Sequence, residues 1–120
     1  MNKENERFLL TNFDFFDEYR PSTPGGERFE CFDGWFKIIN DLCERLEKLK
    51  LPSLKIRQVK QKLGSLRFYV DGANVKAMWL IDHAESLSEI TCERCGQPGT
   101  FGIKKLAFRT RCLSCFKKNI

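Results

Sequence analysis

TCERCGQPGTFGIKKLAFRTRCLSC, residues 91–115, holds four of the chain's six cysteines as Cys92-x-x-Cys95 and Cys112-x-x-Cys115, with sixteen residues between the pairs. A C-x-x-C pair lets one tight turn aim two thiolates at the same ion, and two such turns complete a tetrahedron. Gly96 directly follows the first pair. With no Cβ, it lets the backbone bend around a metal and point an N–H at a ligand sulfur. Between the pairs, a turn-rich start is followed by two short runs able to pair as a hairpin. The spacing predicts a zinc ribbon over residues 90–120, with Cys92, Cys95, Cys112 and Cys115 holding one structural Zn2+ in place of two disulfides. A closed four-cysteine site keeps no coordination position open for chemistry.

The rest of the chain is consistent with that reading. Its 120 residues suffice for one α+β core carrying the ribbon. No apolar run is long enough for a membrane span, and MNKENERFLL at the start is polar where a secretory signal is basic and then apolar. The expected location is therefore the reducing cytoplasm, which favours zinc thiolates over disulfides. Cys31 and Cys43 lack ligand spacing and read as buried, inert thiols.

Charge is divided unevenly. Residues 1–50 carry eight Lys/Arg against eleven Asp/Glu, and residues 51–120 carry thirteen against five, so −3 and +8 make up the net +5. A basic C-terminal half suits an anionic partner, and it equally suits a merely soluble surface.

Core elements follow from hydrophobic spacing. Trp35, Ile38, Ile39, Leu42, Leu46 and Leu49 recur at helical steps, predicting a helix over 34–50 with Asp33 as N-cap and Pro52 as its end. Upstream, residues 4–19 read as short helical turns that pack aromatic rings, and 20–28 as a loop. Leu54, Ile56 and Val59 alternate with polar residues, as do Leu66, Phe68 and Val70, predicting a hairpin over 54–71 with a Gly64-Ser65 turn. Its outer face would carry Lys55, Arg57, Lys60, Arg67 and Tyr69, with Lys62 near the turn. Such a face fits phosphate contact or base stacking, and strand lysines serve equally to block edge pairing. A second helix over 74–88 would present Val75, Met78, Trp79, Ile81, Ala84 and Leu87 to the core. Its His83 and Asp82 diverge around the helix and form no acid–base pair. The predicted organisation is a core over residues 1–89, built from helix, hairpin and helix, that runs directly into a docked ribbon.

Three strings carry a resemblance. FECFDGWFKIINDLCERL, IRQVKQKLGSLRFYV and HAESLSEITCERCGQPG, spanning roughly residues 29–115, resemble a family of small, mostly uncharacterised bacterial and phage or prophage zinc-ribbon proteins. The shared features are a Cys-x-Asp-Gly-Trp helix start, a Gln-Val-Lys…Gly-x-Leu-Arg-Phe-Tyr hairpin and an Ala-Glu-x-x-Ser approach to a Cys-x-x-Cys-Gly knuckle. This chain departs at Phe32, where glycine is usual, and at Leu63 and Ser65, where Phe-Gly is common. The resemblance implies a mobile-element origin and this fold, without an activity.

No spaced His/Asp/Glu constellation supports catalysis, so the sequence reads as a non-catalytic binding protein and not an enzyme. The leading expectation is nucleic-acid binding through Lys60, Lys62, Arg67 and Tyr69 of the hairpin and Lys104, Lys105, Arg109 and Arg111 of the ribbon, with Phe101 and Phe108 stacking or packing. The alternative is a phage counter-defence protein that inhibits a host protein or sequesters a nucleotide signal.

Overall fold

A computed structural model describes residues 1–104 and 107–118. The fold is α+β, and among the described residues no helix is long and apolar enough to cross a membrane. It opens with α1 (Lys3–Asn12), capped by the Asn2 side chain, which accepts from the Asn5 amide at 2.8 Å. A short 3-10 turn, Asp14–Phe16, follows. Phe13, Phe16 and Tyr19 then drop into the core beside Phe29, with the Phe16, Tyr19 and Phe29 ring centroids 5.5–5.7 Å apart. The Tyr19 hydroxyl donates to the Arg28 carbonyl and accepts from the Val59 amide, which ties the loop over residues 20–28 to the sheet. Burial of that phenol pushes its pKa up to about 12, so it stays protonated and able to donate.

The sheet has three strands in the order β1-β2-β3. Strand β1 (Phe29–Glu30) runs parallel to β2 (Lys55–Lys62), and β2 pairs antiparallel with β3 (Ser65–Asp71). Strand β1 is too short to show in the residue pattern. The hairpin turn is Leu63-Gly64, both left-handed at φ 54 and 83, and not the expected Gly64-Ser65, because Ser65 already pairs with Lys62. Two successive positive φ values match the twist of a tight hairpin, and glycine carries the second without strain. A register shift between Ile56 and Gln58 makes Arg57 the extra residue of a bulge. That shift lets Ile56 and Val59, three apart, both face the core, where strict alternation would send one outward.

Helix α2 covers Phe36–Lys48 and buries Ile39, Leu42, Cys43 and Leu46. Two details differ from the expected 34–50 span. Asp33, Gly34 and Trp35 form a 3-10 turn, and the Asp33 carboxylate accepts from the Asn2 amide at 2.8 Å and the Asn5 side chain at 3.1 Å instead of capping its own helix. At the other end the helix stops before Pro52, because Lys50 turns left-handed at φ 54. Helix α3 (Val75–Ser88) is capped by Asn74, whose side chain accepts from the Ala77 amide at 2.8 Å. It packs on β3 and α2 through Ala77, Leu80, Ile81, Ala84 and Ser88. Of the stripe expected inside, only Ile81 and Ala84 are buried, and Val75, Met78, Trp79 and Leu87 face solvent. Apolar residues surround this helix, so period alone gave no way to choose the buried side.

The ribbon consists of an isolated Thr91–Pro98 bridge, the hairpin β4 (Thr100–Lys104) with β5 (Ala107–Arg111), and one turn of helix, α4 (Leu113–Lys117). It is fastened to the core at two places. At the first, Gly34 donates its N–H to the Glu93 carbonyl at 2.9 Å, and Trp35, fully buried, donates its indole N–H to the Thr91 carbonyl at 2.9 Å. At the second, the Thr110 hydroxyl donates to the Gly64 carbonyl at 2.6 Å and the Gln61 side chain to the Phe108 carbonyl at 3.0 Å. A Cβ on Gly34 would lie 2.2 Å from the Cys92 carbonyl oxygen and 2.5 Å from the Glu93 carbonyl carbon. Gly34→Ala should therefore push the first fastening apart and cost roughly 1–3 kcal/mol or more, read as a lower melting temperature. A melt equal to that of the parent protein would show that the fastening carries no stability.

Candidate metal centre

The four ligand cysteines come together as the spacing predicts. Their Sγ atoms all lie within 4.8 Å of one another, and Cys95 and Cys112 are 3.7 Å apart. A tetrahedron with metal–sulfur bonds of about 2.3 Å, the zinc–thiolate length, has edges of about 3.8 Å, so the sulfurs are already placed for such an ion. All four are free cysteines, as are Cys31 and Cys43. Four thiolates would fill the coordination of a tetrahedral ion held here.

Local backbone geometry aims the sulfurs. Gly96 is left-handed at φ 80, as a knuckle requires. Its N–H donates to the Cys92 carbonyl at 2.9 Å and not to a ligand sulfur as expected. Other amides take that role: the backbone groups of Cys112, Cys95 and Arg94 bear on the Cys92 sulfur, and Gln97 on that of Cys95. In the second knuckle Cys112 caps α4, its sulfur accepting from the Cys115 amide at 3.4 Å. Burial works to raise the Cys92 pKa, but the backbone donors outweigh it and hold the thiol near 7. Cys115 is pushed up to about 12 by burial and by the neighbouring sulfurs. Thiols this close share their protons, and a cation between them is what lets all four ionise. Cys31 and Cys43, outside the site, are buried, and burial pushes Cys31 up to about 12 and Cys43 well above its ordinary value. Both are buried, as expected, and their raised pKa values disfavour the reactive thiolate.

Beside the metal knuckle lies a buried ion pair that the sequence reading missed. Glu93, between the first two ligands, is fully enclosed and accepts from Arg111 Nε at 2.8 Å, with Arg109 Nε at 3.8 Å from the same oxygen. Its other oxygen, Oε2, has no hydrogen-bond partner among the described residues. The Phe32 ring covers this corner, with the Arg94 guanidinium 4.7 Å and that of Arg111 5.6 Å from its centroid. The available signal was an acid inside the C-x-x-C turn facing two arginines on the second ribbon strand.

This pairing corrects one expected contact surface. Arg111, read as a phosphate contact, is 2% exposed and engaged inside the protein. Arg109 shares its side of the hairpin and is only partly exposed. On the core hairpin, Lys55 pairs with Glu18 and Arg57 with Asp71. Lys60 and Arg67 stand opposite one another on β2 and β3, Tyr69 follows on β3, and Lys62 is exposed beside the turn. Lys104 ends β4, and Lys105 lies outside the described residues.

The opposite face of the ribbon rests on the core hairpin tip at Thr110 and is apolar and exposed beyond it. Phe101 and Phe108 stack with centroids 5.4 Å apart and planes inclined by 20°, and they and Ile103 are largely exposed. The hairpin tip adjoins this face: a Cβ on Gly64 would sit 3.0 Å from the Phe101 ring, and exposed Leu63 is its chain neighbour. The chain matches no family model, no curated protein and no solved structure.

Proposed function

We propose that this is a non-catalytic, zinc-stabilised binding module that takes single-stranded nucleic acid on the exposed aromatic pair of its ribbon. The observation that carries the reading is the exposed Phe101–Phe108 stack beside the core hairpin tip. Bases stack on solvent-open aromatic rings with little regard to sequence, each contributing about 1–3 kcal/mol, and nearby cations hold the backbone. Lys60, Lys62 and Arg67 are the cations that supply this charge, and none has an ion-pair partner among the described residues. Zinc is the ion favoured by four thiolates in a tetrahedral, closed arrangement. The motif resemblance adds a phage or mobile-element origin to the same reading.

Fluorescence anisotropy with a labelled single-stranded oligonucleotide tests the proposal. Three phosphate contacts on a single strand predict a slope of about −2 for log K against log salt. Phe101→Ala with Phe108→Ala should weaken binding at least tenfold, and Lys62→Glu should make the slope shallower. A double alanine variant that binds like the parent protein sinks the reading. A host protein is the second candidate partner, favoured by Leu63 and Ile103, which are exposed and have no ring to stack on a base. Oligonucleotide binding that is absent in the folded parent protein at low salt would leave that partner as the better account.

A further inference from the structure

We propose that Cys95 and Cys112 form an oxidation site, the pair of ligand thiolates that hydrogen peroxide converts to a disulfide bridging the two knuckles. The four ligand sulfurs are not equally open to solvent. Cys95 is exposed and Cys112 half-buried, whereas Cys92 and Cys115 are buried. The two more open sulfurs stand 3.7 Å apart and belong to different knuckles. Cys95 also lines a groove of about 520 Å³ between α2 and α3, through which a small oxidant reaches it. Cys31 and Cys43 are buried and lie outside the cluster.

Access and proximity set the order of the steps. The Cys95 thiolate attacks one peroxide oxygen, the O–O bond breaks, and hydroxide leaves as the sulfur becomes a sulfenic acid. The Cys112 thiolate then attacks that sulfur, which forms the S–S bond and expels a second hydroxide. Two thiolates are oxidised and one peroxide is reduced. The sulfurs approach by about 1.7 Å to reach the disulfide length of about 2.0 Å. The competing products are disulfides inside one knuckle, and each would need a buried sulfur, Cys92 in the first and Cys115 in the second. Oxidation of Cys95 and Cys112 removes two of the four ligands, so the site can no longer enclose an ion. The new bond still ties the ends of the β4–β5 hairpin, and so limits the freedom of the unfolded ribbon. A bond inside either knuckle closes only its own turn and leaves those ends apart.

Protein purified without chelator is treated with hydrogen peroxide, alkylated at intervals under denaturing conditions, and mapped by peptide mass spectrometry. The first cross-link should be Cys95–Cys112, at least tenfold more abundant at early times than any other pair. Cys31 and Cys43 should still be alkylated, and zinc should enter solution in step with the cross-link. The oxidised chain should melt above the same chain reduced and stripped by chelator. A first cross-link inside either knuckle, or one that uses Cys31 or Cys43, would overturn the inference. So would thiols left unmodified by excess peroxide, or an oxidised chain that melts no higher than the stripped one. The inference rests on the four cysteines forming one cluster. Zinc content before treatment tests the metal reading separately, and the position of the first cross-link decides this one with or without the ion.

Discussion

Cys95→Ser should release the metal and lower the melting temperature by at least about 10 °C, far more than loss of one exposed thiol could. Cys95 is the most solvent-open of the four ligands, so its side chain contributes little by packing, and the effect must come through the ion. Ligation of structural zinc contributes on the order of 10 kcal/mol to folding of small domains, because the apo segment holds too little apolar surface to order itself. The ribbon fits that description: Phe101, Ile103, Phe108 and Leu113 all point out, and its buried groups are mainly the knuckle and the Glu93–Arg111 pair. Loss should not stop at the ribbon. Gly34 and Trp35 are bonded to the first knuckle and Gly64 to β5, so the core loses those partners too. Cys43→Ser is the control. It sits in the core away from the site, so the variant should keep its metal whatever the change costs in packing. Metal and protons compete for the same sulfurs, and affinity should fall as pH is lowered. If Cys95→Ser melts like the parent protein, the ribbon holds together without ligation.

Arg111→Met should destabilise the protein by about 3–5 kcal/mol while Glu93 remains, because it strands a carboxylate with no access to water. Glu93 is fully enclosed, its Oε2 is without a hydrogen bond among the described residues, and Arg109 at 3.8 Å is a distant substitute for Arg111 at 2.8 Å. Adding Glu93→Gln to Arg111→Met should recover a large share of that loss, since the buried charge is then gone. The double variant should thus be clearly less damaging than the sum of the singles, read by chemical denaturation. Additive losses would mean that the two side chains stabilise the ribbon independently. Charge reversal at Arg111 accordingly tests folding and not partner contact.

The metal site was fully legible because ligand chemistry fixes residue type and spacing together, so Cys92, Cys95, Cys112 and Cys115 could be named without knowing the fold. Helix α2 was legible for a similar reason: one face is apolar, the other charged, and the period has one solution. Helix α3 was found, but its orientation was not, because Val75, Met78, Trp79 and Leu87 are as apolar as the residues it buries. What decides is the set of surfaces offered by α2 and β3, which are distant in sequence. The same holds for β1, whose two residues pair with Val59 and Lys60 across the intervening helix α2. Arg111 misled because a buried arginine and a phosphate-contacting arginine look alike until the acid opposite is placed. Gly34 was visible as part of a motif, but its use, admitting the Cys92 carbonyl, needed the knuckle in position.

The central claim is that one tetrahedral ion, held by four thiolates, keeps the ribbon folded against the core. Native mass spectrometry of protein never exposed to chelator tests it most directly, followed by the same measurement after chelation together with circular dichroism. The expected result is the chain plus one zinc, with loss of that mass and of ribbon structure together on chelation. A metal-free chain that is fully folded, or a mass short of the thiol hydrogens that two disulfides remove, would contradict it.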